Sequence, residues 1–249
     1  MATRTDLYTL LGKYQELKHT HRKRNQECDE EALQYFIWQC NALERSSLSF
    51  EQVKDVLAFG VRNVSDNNRE ELECVGLCEA MKYVKKLVEN DVELSEEVVK
   101  ELHTLLYIGA SEDFKGQYRT DYITIPHARN LPPVRHISYY MNKLFEEYNS
   151  EMDKMDIIEK ISLFHIKFEN IHPFTDGNGQ VGRLIINYQL MRAGYPFIAL
   201  KVKNKKEYIH AFEAYHLELN DNEMYQLLID AIASELEARI EILEEENTK

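Results

Sequence analysis

Helix breakers are scarce in this chain: 249 residues hold only nine glycines and five prolines, so long stretches contain nothing that interrupts a helix. No apolar run is long enough to span a bilayer, which excludes a membrane-spanning helix. The N-terminal MATRTDLYTLLGKYQ lacks the apolar core of a signal peptide, so the expected location is the cytoplasm. Basic residues are outnumbered, 30 against 43 acidic, for a net charge of −13. That balance argues against nucleic acid or an anionic membrane as partner. The one basic cluster, HTHRKRNQ from His19 to Gln26, runs straight into the acidic stretch Glu27 to Glu31 and reads as a solvated helix face. The four cysteines include Cys74 and Cys78, one helical turn apart, but no further ligands stand nearby at metal-binding spacing. They read as reduced cysteines in or near a core, in keeping with an intracellular protein.

What remains is helical periodicity. Ser49 to Gln52 has the form of a capping box, with a helix following to Phe59 and stopping at Gly60. Asp66 can cap the segment from residue 67 to 90, and Ser95 opens another helix ending near Gly109. Further helical stretches cover HISYYMNKLFEEY, MDIIEKISLFHIKFENI, RLIINYQLMRAG, NKKEYIHAFEAYH and EMYQLLIDAIASELEARIEIL. The second of these is apolar enough for a central, buried position. The pattern changes only at GQYRTDYITIPHARNLPPVRH, which holds three of the five prolines. Tyr122 to Ile125 favours strand, so one small β-hairpin flap at an edge is expected. The fold class is therefore all-α with that one flap. Residues 1–90 are expected to form an N-terminal helical lobe and 91–249 the core with its C-terminal helices.

Between two of the helices lies HPFTDGNGQVGR, residues 172–183. Asp-Gly and Asn-Gly are hairpin dipeptides, but the flanks carry helical rather than alternating periodicity. A calcium loop counted from Asp176 fails twice, with Val181 where glycine is needed and Asn187 where the bidentate glutamate belongs. A serine or cysteine triad lacks its nucleophile context, and no lysine-serine pair follows the glycines as in a Walker loop. Phosphate chemistry fits better. A glycine-rich loop entering a helix aims backbone N–H groups and a helix dipole at one spot. Gly177 and Gly179 permit close approach, Asn178 adds an amide donor, and Arg183 lies one turn in with a forked cation. Asp176 is an oxygen ligand suited to Mg²⁺, and His172 can take a proton from an attacking hydroxyl.

This stretch resembles the signature of the Fic family, H-P-F-x-D/E-G-N-G-R-x-x-R, departing from it only at Gln180. FHIKFENIHPF, RLIINYQLMRAGYP and GQYRTDYITIPHARNLPP resemble the family's central helix, the helix after the motif and its flap, so that the likeness covers about residues 35 to 235. The resemblance implies a Fic-type helical bundle and a protein adenylyltransferase. AMP would pass from ATP, with Mg²⁺ as cofactor, to a Ser, Thr or Tyr hydroxyl of a target protein, the chain itself included. His172 would be the base and Asp176 the metal ligand. Gly177, Asn178, Gly179, Gln180 and Arg183 would bind phosphates. Ile123, Ile125 and His127 of the flap would pair with the target, and Tyr208 would stand near the nucleotide. A homodimer is compatible with such a chain.

CNALERSSLSFEQVKDVL is similar to the family's inhibitory helix, in which Glu44 would pair with Arg183 and keep ATP from binding productively. Cys40 and Arg45 depart from that pattern. Gln180 lacks the charge of the usual arginine, which leaves open a different nucleotide, removal of AMP, or a weakened nucleotide-binding regulatory module. His165 reads as a hydrogen-bonded core histidine.

Overall fold

The computed structural model describes residues 2–61, 68–108, 110–124 and 131–245. The first helices run in the order α1 (Arg4–Thr20), α2 (Arg22–Leu43), α3 (Phe50–Phe59), α4 (Arg69–Glu89) and α5 (Glu96–Leu106). They are followed by α6 (Ile137–Ser150), α7 (Ile157–Ile171), α8 (Asn178–Arg192), α9 (Lys205–Glu218) and α10 (Asn222–Glu245). The start of α3 is the capping box read from the sequence: Ser49 Oγ accepts from Gln52 N, and Gln52 Oε1 accepts from Ser49 N. Gly60 ends the helix at φ +79°, a conformation that glycine adopts without cost. Ser95 caps α5 through Val98 N, although that helix ends at Leu106, earlier than its periodicity suggests. Asp66, expected to cap α4, lies outside the described residues; the helix starts at Arg69, directly after Asn68.

Two apolar clusters hold the helices together, and α7 and α8 contribute to both. Phe164 and Phe168 of α7 and Leu184 and Tyr188 of α8 join the cluster built with α2 to α6. Ile158 and Ile161 of α7 and Ile186 and Leu190 of α8 join a second cluster with α1, α9 and α10. Every residue from 180 to 190 is buried, as befits a helix with neighbours on all sides. Each cluster also draws on both sides of residue 90: Phe36 and Ile37 meet the first, Leu7 and Tyr14 the second. The beginning of α8 therefore sits at a fixed point in the middle of the fold. No described helix is long and apolar enough to cross a membrane.

The expected β-hairpin is not seen. Residues 121–124 have no strand assignment, and no strand occurs among the described residues. Ile123 is half-buried in this irregular stretch, while Ile125 and His127 lie outside the described residues. Among the described residues no second strand lies beside residues 122–124 to complete a ladder, and Tyr122 is left exposed.

Candidate active site

The loop between α7 and α8 is shaped by its own backbone and by buried side chains beneath it. His172 ends α7 in the left-handed region at φ 49°, which is unfavourable for a residue with a Cβ by about 1–2 kcal/mol. Its carbonyl is held by Arg119 Nε at 2.9 Å, and Arg119 N donates to Pro173 O at 2.8 Å. Gly177 is the N-cap of α8 at φ 79°. A Cβ there would also lie 2.8 Å from the Tyr107 ring, so both conformation and space require glycine. Under the loop, His103 stacks on Phe174 with ring centroids 3.9 Å apart. Its Nδ1 accepts from Gly116 N, which leaves Nε2 to donate to the Asp176 carbonyl at 3.2 Å. Burial lowers the His103 pKa to about 4, so the ring is neutral near pH 7.

Asn178 is placed differently from the expectation of a free amide donor. Its Oδ1 accepts from Phe174 N at 2.9 Å and its Nδ2 donates to Phe174 O at 2.8 Å. The side chain thus pins the loop, and the backbone N–H groups at the start of α8 are what it presents to a ligand. No side chain caps that helix end through Gly177, and no acidic residue occupies its first turn. The positive end of the helix dipole is left for another group.

Glu44 supplies that group. It is the C-cap of α2, and its Oε1 lies 2.6 Å from Arg183 Nη2. A Cβ built on Gly179 would come within 2.3 Å of the same oxygen. The carboxylate therefore lies in the notch that the missing side chain of Gly179 creates, against the first turn of α8. Arg183 itself is buried, and its Nη2 and Nε also donate to Cys40 O and Cys40 Sγ, both at 3.1 Å. Cys40 acts here as an acceptor through both its carbonyl and its sulfur. Burial pushes its thiol pKa up, so the sulfur is neutral. Burial acts to lower the pKa of Arg183, but the neighbouring Cys40 and Glu44 outweigh it and hold the guanidinium firmly protonated.

Gln180, the one departure from the signature, points at α2. Its Nε2 donates to Asn41 Oδ1 at 3.0 Å, and Asn41 Nδ2 in turn donates to Cys74 Sγ at 3.3 Å. All three residues are buried. The amide thus docks the helix that carries Glu44.

His172 has a partner that the sequence reading missed. Its Nδ1 lies 3.5 Å from Glu169 Oε2, one helical turn earlier on α7. Burial acts to raise the Glu169 pKa, but His172, His165 and Arg183 outweigh it and keep the acid ionised. The i, i+3 spacing in FENIH was a signal for this pair. Asp176 is half-exposed; Oδ1 accepts from Gly177 N at 2.9 Å and Oδ2 from Arg69 Nη2 at 2.5 Å. One hard carboxylate oxygen beside an open cavity fits Mg²⁺, which keeps several waters and takes phosphate oxygens as ligands. No cluster of three or more acidic, histidine or cysteine side chains able to hold a metal occurs among the described residues. Tyr208 faces inward: its hydroxyl bonds His165 Nε2 at 2.7 Å. His165 is buried with its pKa lowered to about 4 by desolvation, the hydrogen-bonded core histidine that its apolar surroundings suggested.

The sequence profile of the Fic/DOC family matches residues 93–190. Among curated proteins, the chain is 26% identical over 205 residues to protein adenylyltransferase fic-1 of Caenorhabditis elegans, covering 81% of this chain and 40% of that protein. It is 27% identical over 182 residues to protein adenylyltransferase Fic of Nematostella vectensis, covering 72% and 42%. The chain thus spans about 40% of the length of these relatives. Among solved structures, a Fic-domain signalling protein from Bacteroides thetaiotaomicron superposes with a TM-score of 0.85 at 21% identity, covering 96% of this chain and 97% of that one. Fic-1 from C. elegans gives 0.85 at 23% identity, covering 98% and 73%. These two likenesses establish the shared fold.

Proposed function

From a chain that carries a Fic-family domain, with a carboxylate of its own held against the anion-binding end of α8, we propose an autoinhibited protein adenylyltransferase. The observation that carries this reading is the notch at Gly179. A backbone that accommodates the Glu44 carboxylate beside Arg183 is suited to a phosphate of similar charge and size.

The chemistry follows from the placement of each group. A hydroxyl of the target approaches His172, whose Nδ1 side is turned to Glu169, leaving Nε2 to receive the proton. The ionised Glu169 orients the ring and stabilises it once charged, as a carboxylate does behind a catalytic histidine. The hydroxyl oxygen bonds to the α-phosphorus of ATP while the bond to the pyrophosphate oxygen breaks. The products are a phosphodiester of AMP on the target and free pyrophosphate. Backbone N–H groups of Asn178 and Gly179 meet the developing negative charge, and Arg183 positions the outer phosphates. Asp176 would hold Mg²⁺, which neutralises phosphate charge when bound. Most of the rate advantage in such a transfer comes from positioning and electrostatics. The inward-facing hydroxyl of Tyr208 supports a role in bracing His165 and the region of Arg183.

Glu44 supplies the restraint. One guanidinium cannot pair fully with both a carboxylate and a phosphate, so the Glu44 carboxylate must leave Arg183 before that guanidinium meets ATP. The Gln180–Asn41 bond supports the same account, because the residue that replaces an arginine strengthens the docking of α2. This favours a restrained enzyme over a site that has merely lost a cation.

The test is label transfer from ATP with Mg²⁺. The α-label should appear on protein, more strongly with Glu44→Gly and not with His172→Ala. Label arriving only from the γ-position would sink nucleotidyl transfer. Bound ATP with no transfer from any nucleotide would favour a regulatory binding module.

A further inference from the structure

An N-terminal helix also reaches the metal side of the site. Arg69, the first residue of α4, donates through Nε to Glu73 Oε1 at 2.7 Å and through Nη2 to Asp176 Oδ2 at 2.5 Å. The other Asp176 oxygen accepts from Gly177 N, so both carboxylate oxygens are engaged. The guanidinium lies between a carboxylate of α4 and the carboxylate of the loop, a position of strongly negative potential that suits a cation. Beside it opens a cavity of about 590 Å³ lined in part by Arg69, Glu73, Tyr107, Thr175 and Asp176.

The two contacts of Arg69 differ in strength. Glu73 is one turn away on the same helix and mostly shielded, with 16% of its side chain exposed; Asp176 is 51% exposed and Arg69 itself 69%. An ion pair as open as Arg69–Asp176 contributes at most about 1 kcal/mol. Arg69 can therefore leave Asp176 while its Nε stays on Glu73, turning into the cavity.

We propose that Arg69 is a positioning residue of the metal site: an internal cation that holds Asp176 until a divalent cation displaces it. The assignment rests on reading Asp176 as the metal ligand. Arg69 lowers the affinity of the site for metal, both by occupying an Asp176 oxygen and by repelling a second positive charge. It also neutralises the Asp176 carboxylate when no metal is present, which keeps an unpaired negative charge away from incoming phosphates.

The test is Mn²⁺ binding to the full chain without nucleotide, followed by electron paramagnetic resonance. Wild type, Arg69→Gln, Arg69→Lys and Asp176→Asn are compared after circular dichroism has verified their folding. Arg69→Gln should bind Mn²⁺ about fivefold more tightly than wild type, the release of one exposed ion pair. Arg69→Lys should fall between them, because it keeps the charge and loses the fork. A merely structural role for Arg69 does not tighten metal binding, so equal or weaker binding by Arg69→Gln overturns the proposal. Asp176→Asn should lose the site. If it binds Mn²⁺ as well as wild type, the reading of Asp176 as ligand fails, a result distinct from the Arg69 comparison.

Discussion

The two sides of the site are closed in opposite ways. On the anion side, a carboxylate from the end of α2 meets a guanidinium that is 3% exposed. On the metal side, a guanidinium from the start of α4 meets a carboxylate that is half in water. On the proposed function, each half of the site is occupied by a protein group of the ligand's own charge. The difference lies in solvent. Arg183 is the buried member of its pair, with Glu44 43% exposed, so losing Glu44 leaves a buried cation short of a carboxylate, whereas Arg69 and Asp176 are both open to water and exchange partners at little cost. On the same proposed function, the Glu44 contact is the harder to break and the Arg69 contact the easier, so control of the site falls to α2.

Removing the base gives the largest effect: His172→Ala should lower α-label transfer by about 10²- to 10⁴-fold while leaving the Arg69–Asp176 pair intact, measured in a Glu44→Gly background where the rate is high. Next is the docking of α2. Asn41→Ala strands the buried Gln180 amide, at a cost of about 1–3 kcal/mol, and should raise label transfer about fivefold or more in an otherwise wild-type chain. Gln180→Arg should act in the same direction by forcing a charge against Asn41. If neither changes the rate, α2 is not what restrains the site.

Acid should separate the loop from both ion pairs. His103 and His165 titrate near 4 in the fold against an ordinary value of 6.5. Both are held neutral, so their contribution to stability is complete above about pH 6.5 and is lost as pH falls toward 4. Each accounts for about 2–3 kcal/mol at most. Chemical denaturation at pH 7 and pH 4.5 should show this loss, and His103→Gln should show less of it than wild type. The smallest expected effect is that of salt. About 1 M NaCl shortens the screening length to roughly 3 Å, so it should narrow the difference in Mn²⁺ affinity between wild type and Arg69→Gln while leaving the restraint by Glu44 nearly unchanged.

The site was legible where chemistry is contiguous. Residues 172–183 lie between helices that periodicity marks on both flanks, and the glycine at the α8 N-cap follows from that placement. The flap was not legible in the same way: β-branched residues in a row suggest a strand, but no strand occurs among the described residues, and Ile125 and His127 lie outside them. Pairs distant in sequence left weaker traces. Glu44 and Arg183 are 139 residues apart, and only resemblance brought them together. Arg69 and Asp176 are 107 apart and left no pattern at all, because neither periodicity nor composition encodes which helix end a surface arginine will reach. Asn178 shows a different limit: its residue type allows donation to a phosphate, and only the geometry shows its amide tied to Phe174.

If the Glu44 carboxylate stands where a phosphate of ATP must go, its removal should speed transfer, which is read from the initial rate of α-label incorporation at matched Mg²⁺ and ATP. Glu44→Gly should exceed wild type by tenfold or more, a gain of about 1.4 kcal/mol or above in transition-state access, even as its denaturation midpoint falls with the loss of the Arg183 partner. Equal rates in the two proteins, with Glu44→Gly folded, would contradict it.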